Sequence, residues 1–436
     1  MAFLNGFGRN FGGIGRALSE RNYRIYWYGH LFSSNGVWIY LISSQWLMFH
    51  LIQSPAWLGA VGFAYMSPVL FLGPLAGAIS DRYGHRRTGM IALSLGIVTS
   101  FMTAIAIVTG ILTPVLLIVF TLVQGVFFSF DFPARQALIL QLIERKNLSA
   151  AIGMNTTTFH TAGFTGPIIG SVILSFGNLT FGEPLGAALS YATSAMTFCC
   201  MVLGVARVQI INPLPVIKSI KPLVPAVLSD LRAGIHYIME CSDLKMIMLL
   251  SIFVAFCLRS YQNLMAGFAE QVFQLDEHGL GNLMAASGIG ALSAALILAV
   301  RGKVEGLTRI FVYGAMLTAL ALLVFVSNTQ ILLALVTMAL VGGFIVATGL
   351  GGQTLIQNIV EDEFRARVVS VHLAIIVGGS AFGTLGIGWL AEFVGFQTAL
   401  GVMAILALVV FTFQGRKLLS RSIDIEAVHP AKKTNH

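Results

Sequence analysis

The chain has 436 residues, 56% of them hydrophobic and only 10% charged, with a net charge of +8. So little polar surface excludes a soluble globular protein of this size. The basic excess is scattered over short segments with no aromatic-basic stripe, which excludes a nucleic-acid surface and points to orientation in a membrane.

The chain opens on a lead-in, residues 1–24. Its first twenty residues carry Arg9 and Arg16 but no apolar stretch ending in small residues. It is expected to be an amphipathic cytoplasmic segment and not a signal peptide. Twelve apolar runs follow, near 25–50, 57–79, 88–109, 114–131, 149–176, 184–206, 245–268, 279–300, 308–327, 331–352, 367–391 and 397–414. A hydrocarbon core about 30 Å thick takes about 20 apolar residues per helix. Backbone groups in lipid must be satisfied within their own segment, so each run is a predicted spanning helix. Of the 26 Lys and Arg residues, 25 lie in the N-terminus, the even-numbered gaps and the tail. The odd-numbered gaps hold Glu183, Glu270, Asp276, Glu277 and Glu392 instead. Both termini are therefore expected on the cytoplasmic side.

Several segments carry chemistry of their own. The gap after the second span reads GPLAGAISDRYGHRR, residues 73–87. Gly73 and Gly77 stand four apart on one helix face and permit a close helix approach. Asp81 lies where a carboxylate can meet a neighbouring helix N-terminus or a cation. The fifth span places Gly153, Ala162, Gly166, Pro167, Gly170 and Ser171 at spacings that let helices approach and bend. The connector from 207 to 244 starts Pro-rich (Pro213, Pro215, Pro222, Pro225) and turns amphipathic over 228–239, which predicts a tethered surface helix.

That connector divides two halves related by an internal repeat. At an offset of 217 residues Gly73 falls on Gly290, Gly125 on Gly342 and Gly166 on Gly383, and QALILQLIE (136–144) falls on QTLIQNIVE (353–361). Two parallel six-helix repeats are a recurrent transporter plan.

Polar residues within spans concentrate in the first, fourth, fifth, seventh, tenth and eleventh: Asn35, Gln45, Gln124, Asn155, His160, Arg259, Gln262, Asn263, Gln353 and His372. Lipid-facing helices carry such groups only at a cost, so these mark the walls of a polar cavity. Arg259 is the one basic residue inside a span, with no acid within one turn. A cation at that depth costs about 2.5–3.5 kcal/mol on insertion scales, and its default reading is functional. It could contact an anionic or carbonyl-rich substrate, or hydrogen-bond structurally to another helix. His160 could titrate in the cavity or serve as a satisfied structural histidine.

The 73–87 segment resembles the signature loop of the major facilitator superfamily, with His85 where the family usually has Arg or Lys. The resemblance implies a gating set of Gly73, Gly77, Asp81, Arg82, Gly84, Arg86, Asp131 and Arg135. In it Asp81 and Arg82 latch the two halves. Asp131, at the cytoplasmic end of the fourth span, is the acid that would partner the loop's cation, with Arg86 in the role His85 cannot fill. The fifth-span pattern (Gly153, Gly166, Pro167, Gly170) resembles the family's antiporter motif and favours export. RNYRIYWYGHLFSSNGVW (21–38), FDFPARQA (130–137), DLRAGIHYI (230–238) and LIQNIVEDEFRARVVS (355–370) resemble the enterobactin-exporter-like branch. That branch's usual fourth-span Arg is absent, Thr121 standing three residues before Gln124.

The expected fold is therefore all-α and integral to the membrane, with twelve transmembrane helices in two pseudo-symmetric six-helix bundles. These occupy 25–206 and 245–414, with a cytoplasmic tail at 415–436. The expected function is secondary active transport by alternating access, most simply proton-coupled export of a small organic or amphiphilic molecule across a bacterial inner membrane. Siderophore-like, drug-like and anionic substrates all suit it. Import of an anionic metabolite through Arg259, and lipid or lysolipid flipping, are the alternatives. Arg259, Gln262, Asn263, Asn35, Gln45, Asn155, His160 and Gln124 are the candidate substrate contacts. No nucleotide loop of the G-x4-GK[ST] type occurs, and no nucleophile–base pair or metal cluster suggests an enzyme. Cys199, Cys200, Cys241 and Cys257 form no CxxC pair, so free thiols are expected. No cofactor beyond a proton gradient, no nucleic-acid partner and a monomer in the bilayer complete the expectation.

Overall fold

A computed structural model of the chain describes residues 12–183, 185–212 and 223–427. The expectations for Arg9, Pro213, Pro215, Pro222 and the last residues of the tail lie outside them. The described residues form helices and no strands. In chain order these are α1 (Gly12–Ser19), α2 (Arg21–Ile52), α3 (Pro55–Tyr83), α4 (His85–Val108), α5 (Pro114–Leu142), α6 (Leu148–Phe181) and α7 (Leu185–Arg207). After the connector come α8 (Leu223–Glu240), α9 (Ser242–Val272), α10 (Glu277–Arg301), α11 (Leu307–Val326), α12 (Ile331–Ile359), α13 (Asp362–Val394), α14 (Phe396–Ser420) and α15 (Ser422–Glu426).

All twelve predicted spans are helical, as α2–α7 and α9–α14. Eleven are long and apolar enough to cross a membrane by length and composition. The twelfth, α2, is 32 residues long, but Ser33, Ser34, Asn35, Ser43, Ser44 and Gln45 dilute its apolar character. Local chemistry sets the ends. Pro114 occupies the first turn of α5, where its missing N–H costs nothing, and Thr113 accepts from the Leu116 N–H at 3.2 Å. Asp276 caps α10 through the Gly279 N–H at 3.0 Å. Gly84, at φ +92°, makes the break between α3 and α4 that a side chain would resist.

The described residues fall into two compact units, one running to Leu47 with Phe71–Leu223, the other from Met48–Leu70 with the chain from Val224 onward. In the first unit α4 packs along α5 and α7, and α6 crosses α2. A Cβ on Gly166 would stand 2.5 Å from Trp38 Cβ, and one on Gly170 would stand 2.7 Å from Ile42 Cγ2, so both antiporter-pattern glycines are filled by α2. Gly153 faces open space.

In the second unit α13 crosses α9 in the same way. A Cβ on Gly383 would stand 2.2 Å from Phe256 O. Gly166 and Gly383, matched by the repeat, thus seat equivalent helix pairs. The Gly73–Gly290 match behaves differently. Gly290 and Gly342 lie at the crossing of α10 and α12, where added Cβ atoms would stand 1.8 Å from Ala339 O and 1.9 Å from Ser287 O. A Cβ on Gly73 or Gly77 meets nothing within 4 Å, so the close approach expected of that pair is not made in this conformation.

Acids of the odd-numbered gaps act at helix ends. Glu392 accepts from Ser54 Oγ at 2.6 Å and from the Ala56 N–H at 3.1 Å. Glu270 lies within the last turns of α9 and not in the gap, accepting from Gln53 Nε2 at 3.1 Å.

The tail returns to the second unit. Arg421 pairs with Asp243 at 2.5 Å in the first turn of α9. Glu426 accepts from the Gly306 N–H at 2.5 Å and the Thr308 N–H at 2.8 Å, capping α11 from outside it. Burial pushes this carboxyl up, but the two amide hydrogen bonds and the Arg309 charge outweigh it and lower its pKa. Glu426→Ala should cost about 1 kcal/mol, the usual worth of an N-terminal cap, read as faster amide exchange over residues 306–312. The contribution is complete above the ordinary glutamate pKa of about 4.3. It disappears as pH falls through the lowered folded-state value. Unchanged exchange at neutral pH would show the cap to be idle.

Candidate functional site

The first unit contains a cavity of about 220 Å³ between α2, α5 and α6. Tyr26, His30, Ser34 and Val37 line it from α2, Phe128, Phe132, Arg135, Gln136 and Ile139 from α5, and Asn155, Thr156, Phe159 and His160 from α6. The α2 residues recur every three to four positions, which aligns them on one helix face.

Arg135 belongs to a charged pair. Asp131 is fully buried and bonds through Oδ2 to Arg135 one turn later, while its Oδ1 has no hydrogen-bond partner among the described residues. Arg135 also donates to Ser33 Oγ at 2.8 Å and lies 3.4 Å from His30 Nδ1. The His30 ring stacks on Tyr26, centroids 6.0 Å apart and planes within 11°. Its Nε2 lies 3.3 Å from Asn155 O, and the Asn155 side chain accepts from Tyr23 at 3.0 Å. Carboxylate, guanidinium and imidazole are therefore linked side by side, and the residues of the last two line the cavity. Protonating the carboxylate of a buried pair leaves the guanidinium without its counter-charge, so the charge state of one member sets what the other can bind.

This geometry corrects two expectations. Asp131 does not end its helix: α5 continues for eleven residues, with Pro133 inside it. The Asp-Phe-Pro sequence reads as a stop, but the i,i+4 ion pair and the packing of Leu138, Ile139 and Leu142 carry the helix through. Asp131 also takes its cation from its own helix. Arg86 donates to Ala206 O at 2.5 Å instead. His85, buried, meets Ser80 Oγ at 2.8 Å and half-exposed Asp81 at 3.6 Å, while Arg82 lies 6.0 Å from the Tyr83 ring centre.

Of the candidate contacts, Asn155 and His160 reach this cavity. Asn35 is one turn deeper, accepting from Thr165 Oγ1 at 2.7 Å, and Gln45 and Gln124 are buried elsewhere in the unit. His30, Ser33 and Tyr26 escaped the sequence reading. The signal was present in the spacing Tyr23–Tyr26–His30–Ser33, a polar-aromatic face on an otherwise apolar run.

Arg259 lies in the second unit, where α9 loses its regular form. After Phe253 the chain makes a π-type turn over Val254–Leu258 and a tight 3₁₀ segment over Arg259–Leu264. Broken helices at membrane depth occur where the backbone is supported by protein or lines a cavity. Ser260 is buried against Ser380 O at 3.2 Å and Tyr261 against Ser287 Oγ at 2.6 Å. The two side chains that follow Arg259 are thus turned inward, and Arg259 is left exposed with no ion pair among the described residues. Three residues per turn align Gln262 with Arg259. Asn263, also a candidate contact, points away from that face and donates to Thr384 Oγ1 at 3.1 Å.

Comparison with known proteins adds identity at the level of family. Residues 16–435 match the family model described as transmembrane secretion effector. The chain is 24% identical over 389 residues to the staphyloferrin A transporter of Staphylococcus aureus (strain NCTC 8325 / PS 47), covering 88% of this chain and 94% of that protein. It is 24% identical over 398 residues to the uncharacterized MFS-type transporter YfiS of Bacillus subtilis (strain 168), covering 88% and 91%. Among solved structures, a bacterial homolog of the human lysosomal transporter Spinster, inward-facing and occupied, superposes with TM-score 0.72 at 13% identity, over 94% of this chain and 99% of that one.

Proposed function

We propose that this chain, which belongs to the transmembrane secretion effector family of the major facilitator superfamily, exports a small carboxylate-bearing or amphiphilic molecule in exchange for protons. It is a multi-pass membrane transporter and not an enzyme, since its family and its structural neighbours are transporters throughout. Export rests on the family's description and on the antiporter-pattern glycines seated against α2. The observation that carries the coupling is the buried Asp131–Arg135 pair, whose arginine lines the first-unit cavity. Asp131 is the carboxylate that would carry the proton, since its neutralisation changes the charge balance around Arg135 and with it the affinity for a charged substrate. Similarity to a siderophore transporter and the unpaired Arg259 both favour an anionic, siderophore-like substrate over a neutral one. The bacterial relatives favour the inner membrane, and the charge distribution favours cytoplasmic termini.

Everted vesicles, energised acid-inside, should accumulate a citrate-type chelator and stop when a protonophore collapses the gradient. Proton-driven accumulation in right-side-out vesicles would establish import and overturn the exporter reading. In the same assay Arg259→Gln should cut transport of the anionic probe about tenfold, the order of one lost charge-assisted contact. It should change a neutral amphiphilic dye little. Equal loss of both probes would make Arg259 structural.

A further inference from the structure

We propose that α8, the helix joining the two sequence halves, is an interfacial anchor that lies on the anionic lipid of the membrane surface. Its residues separate into three faces. One face is docked on protein: Gly234 sits against Arg367 O, where a Cβ would stand 3.0 Å away, Tyr237 stacks on Phe364 at 4.7 Å, and Asp230 pairs with Arg367 at 2.9 Å. These contacts fix the rotation of α8 about its own axis. A second face, with Ser229, Arg232, His236 and Glu240, is polar.

The third face is apolar and uncovered. Val224, Leu228, Ile235 and Met239 recur at helical spacing and are 52%, 59%, 51% and 57% exposed. Those values match exposed apolar positions on the spans, such as Ile91 at 62% and Ile289 at 47%. A stripe of that kind facing water is rare on soluble surfaces. Apolar and polar residues are segregated on α8 far more sharply than on the membrane spans, the pattern of helices that lie in the interface plane.

Two observations select lipid as the occupant. Only Cys241 separates α8 from Ser242, the first residue of a spanning helix, so the C-terminal end of the stripe is held at the membrane boundary. Charge complements an anionic surface: Arg232, beside the stripe, and Lys245, one turn into α9, have no acidic partner among the described residues, and Lys218 and Lys221 precede the helix in sequence. Basic residues near an anionic surface are attracted to it. The second unit would thereby be braced against the cytoplasmic leaflet through α13, whatever substrate is carried.

The test uses the full chain with its four cysteines replaced by serine and single nitroxide labels at Leu228→Cys, Ile235→Cys and, on the polar face, His236→Cys. In nanodiscs containing phosphatidylglycerol, the oxygen-to-nickel collision ratio should be at least threefold higher at 228 and 235 than at 236. It should fall in phosphatidylcholine alone, and Arg232→Gln should remove the difference between the two lipids. Nickel access at 228 and 235 equal to that at 236 would overturn the proposal, as would protection from both reagents, which means a covering protein or second copy. Equal depth in the two lipids would also overturn it. Because the readout is lipid contact and not transport, its failure leaves the exporter proposal standing.

Discussion

Asp131→Ala should destabilise the protein by about 3–5 kcal/mol, because it leaves the Arg135 guanidinium buried without its carboxylate. Asp131 is fully buried and the Arg135 side chain is 11% exposed, so water replaces the lost partner poorly. Ser33 and His30 still accept from or face Arg135, but neither carries compensating negative charge. The double variant Asp131→Leu with Arg135→Leu should recover most of the loss, since removing both charges also removes both desolvation penalties. Unfolding in mixed detergent micelles measures each variant. A double variant as unstable as the single one would mean that α5 needs the pair for more than neutralisation. Transport separates the roles further: Asp131→Asn keeps the shape and removes the exchangeable charge, so substrate movement should persist only down its own gradient.

The second large effect concerns the repeated glycines. Gly290→Ala should cost about 3 kcal/mol, at the upper end of overpacking penalties. Its Cβ meets backbone, Ala339 O and Gly343 N, which cannot rotate away as a side chain can. Gly73→Ala, at the matched position of the first half, should raise stability by about 0.5–1 kcal/mol through helix propensity, since its Cβ meets nothing. If Gly73 makes its close approach in another conformation of the transport cycle, the same variant should lower turnover about tenfold, a barrier increase of about 1.4 kcal/mol. Thermal unfolding and initial transport rates, measured on one preparation, decide both points. A Gly73→Ala protein with normal turnover would remove that glycine from the gating set.

These cases show where a sequence speaks and where it stops. Membrane insertion, the number of spans and the repeat follow from the sequence, because apolar length, loop charge and a common offset are one-dimensional properties. The helix over 228–239 was legible for the same reason, as a periodic segregation of apolar residues. Helix ends were less so. Asp131-Phe132-Pro133 has the composition of a terminus, and only packing against the rest of the unit shows that α5 passes through it.

Partner choice was not legible at all. Arg86 and Arg135 are equally plausible mates for Asp131 by charge, and the helix register selects Arg135. The polar-aromatic face that holds His30 is visible in the first span, but its place beside Arg135 depends on how α2 is rotated against α5. Asn263 likewise follows the rotation of a 3₁₀ segment that no periodicity announces. By itself the sequence determined that this is a twelve-span transporter-like chain, because crossing a membrane imposes length, apolarity and charge asymmetry on every segment. Only the tertiary structure decided which buried charges meet, since a contact between helices depends on rotation and depth.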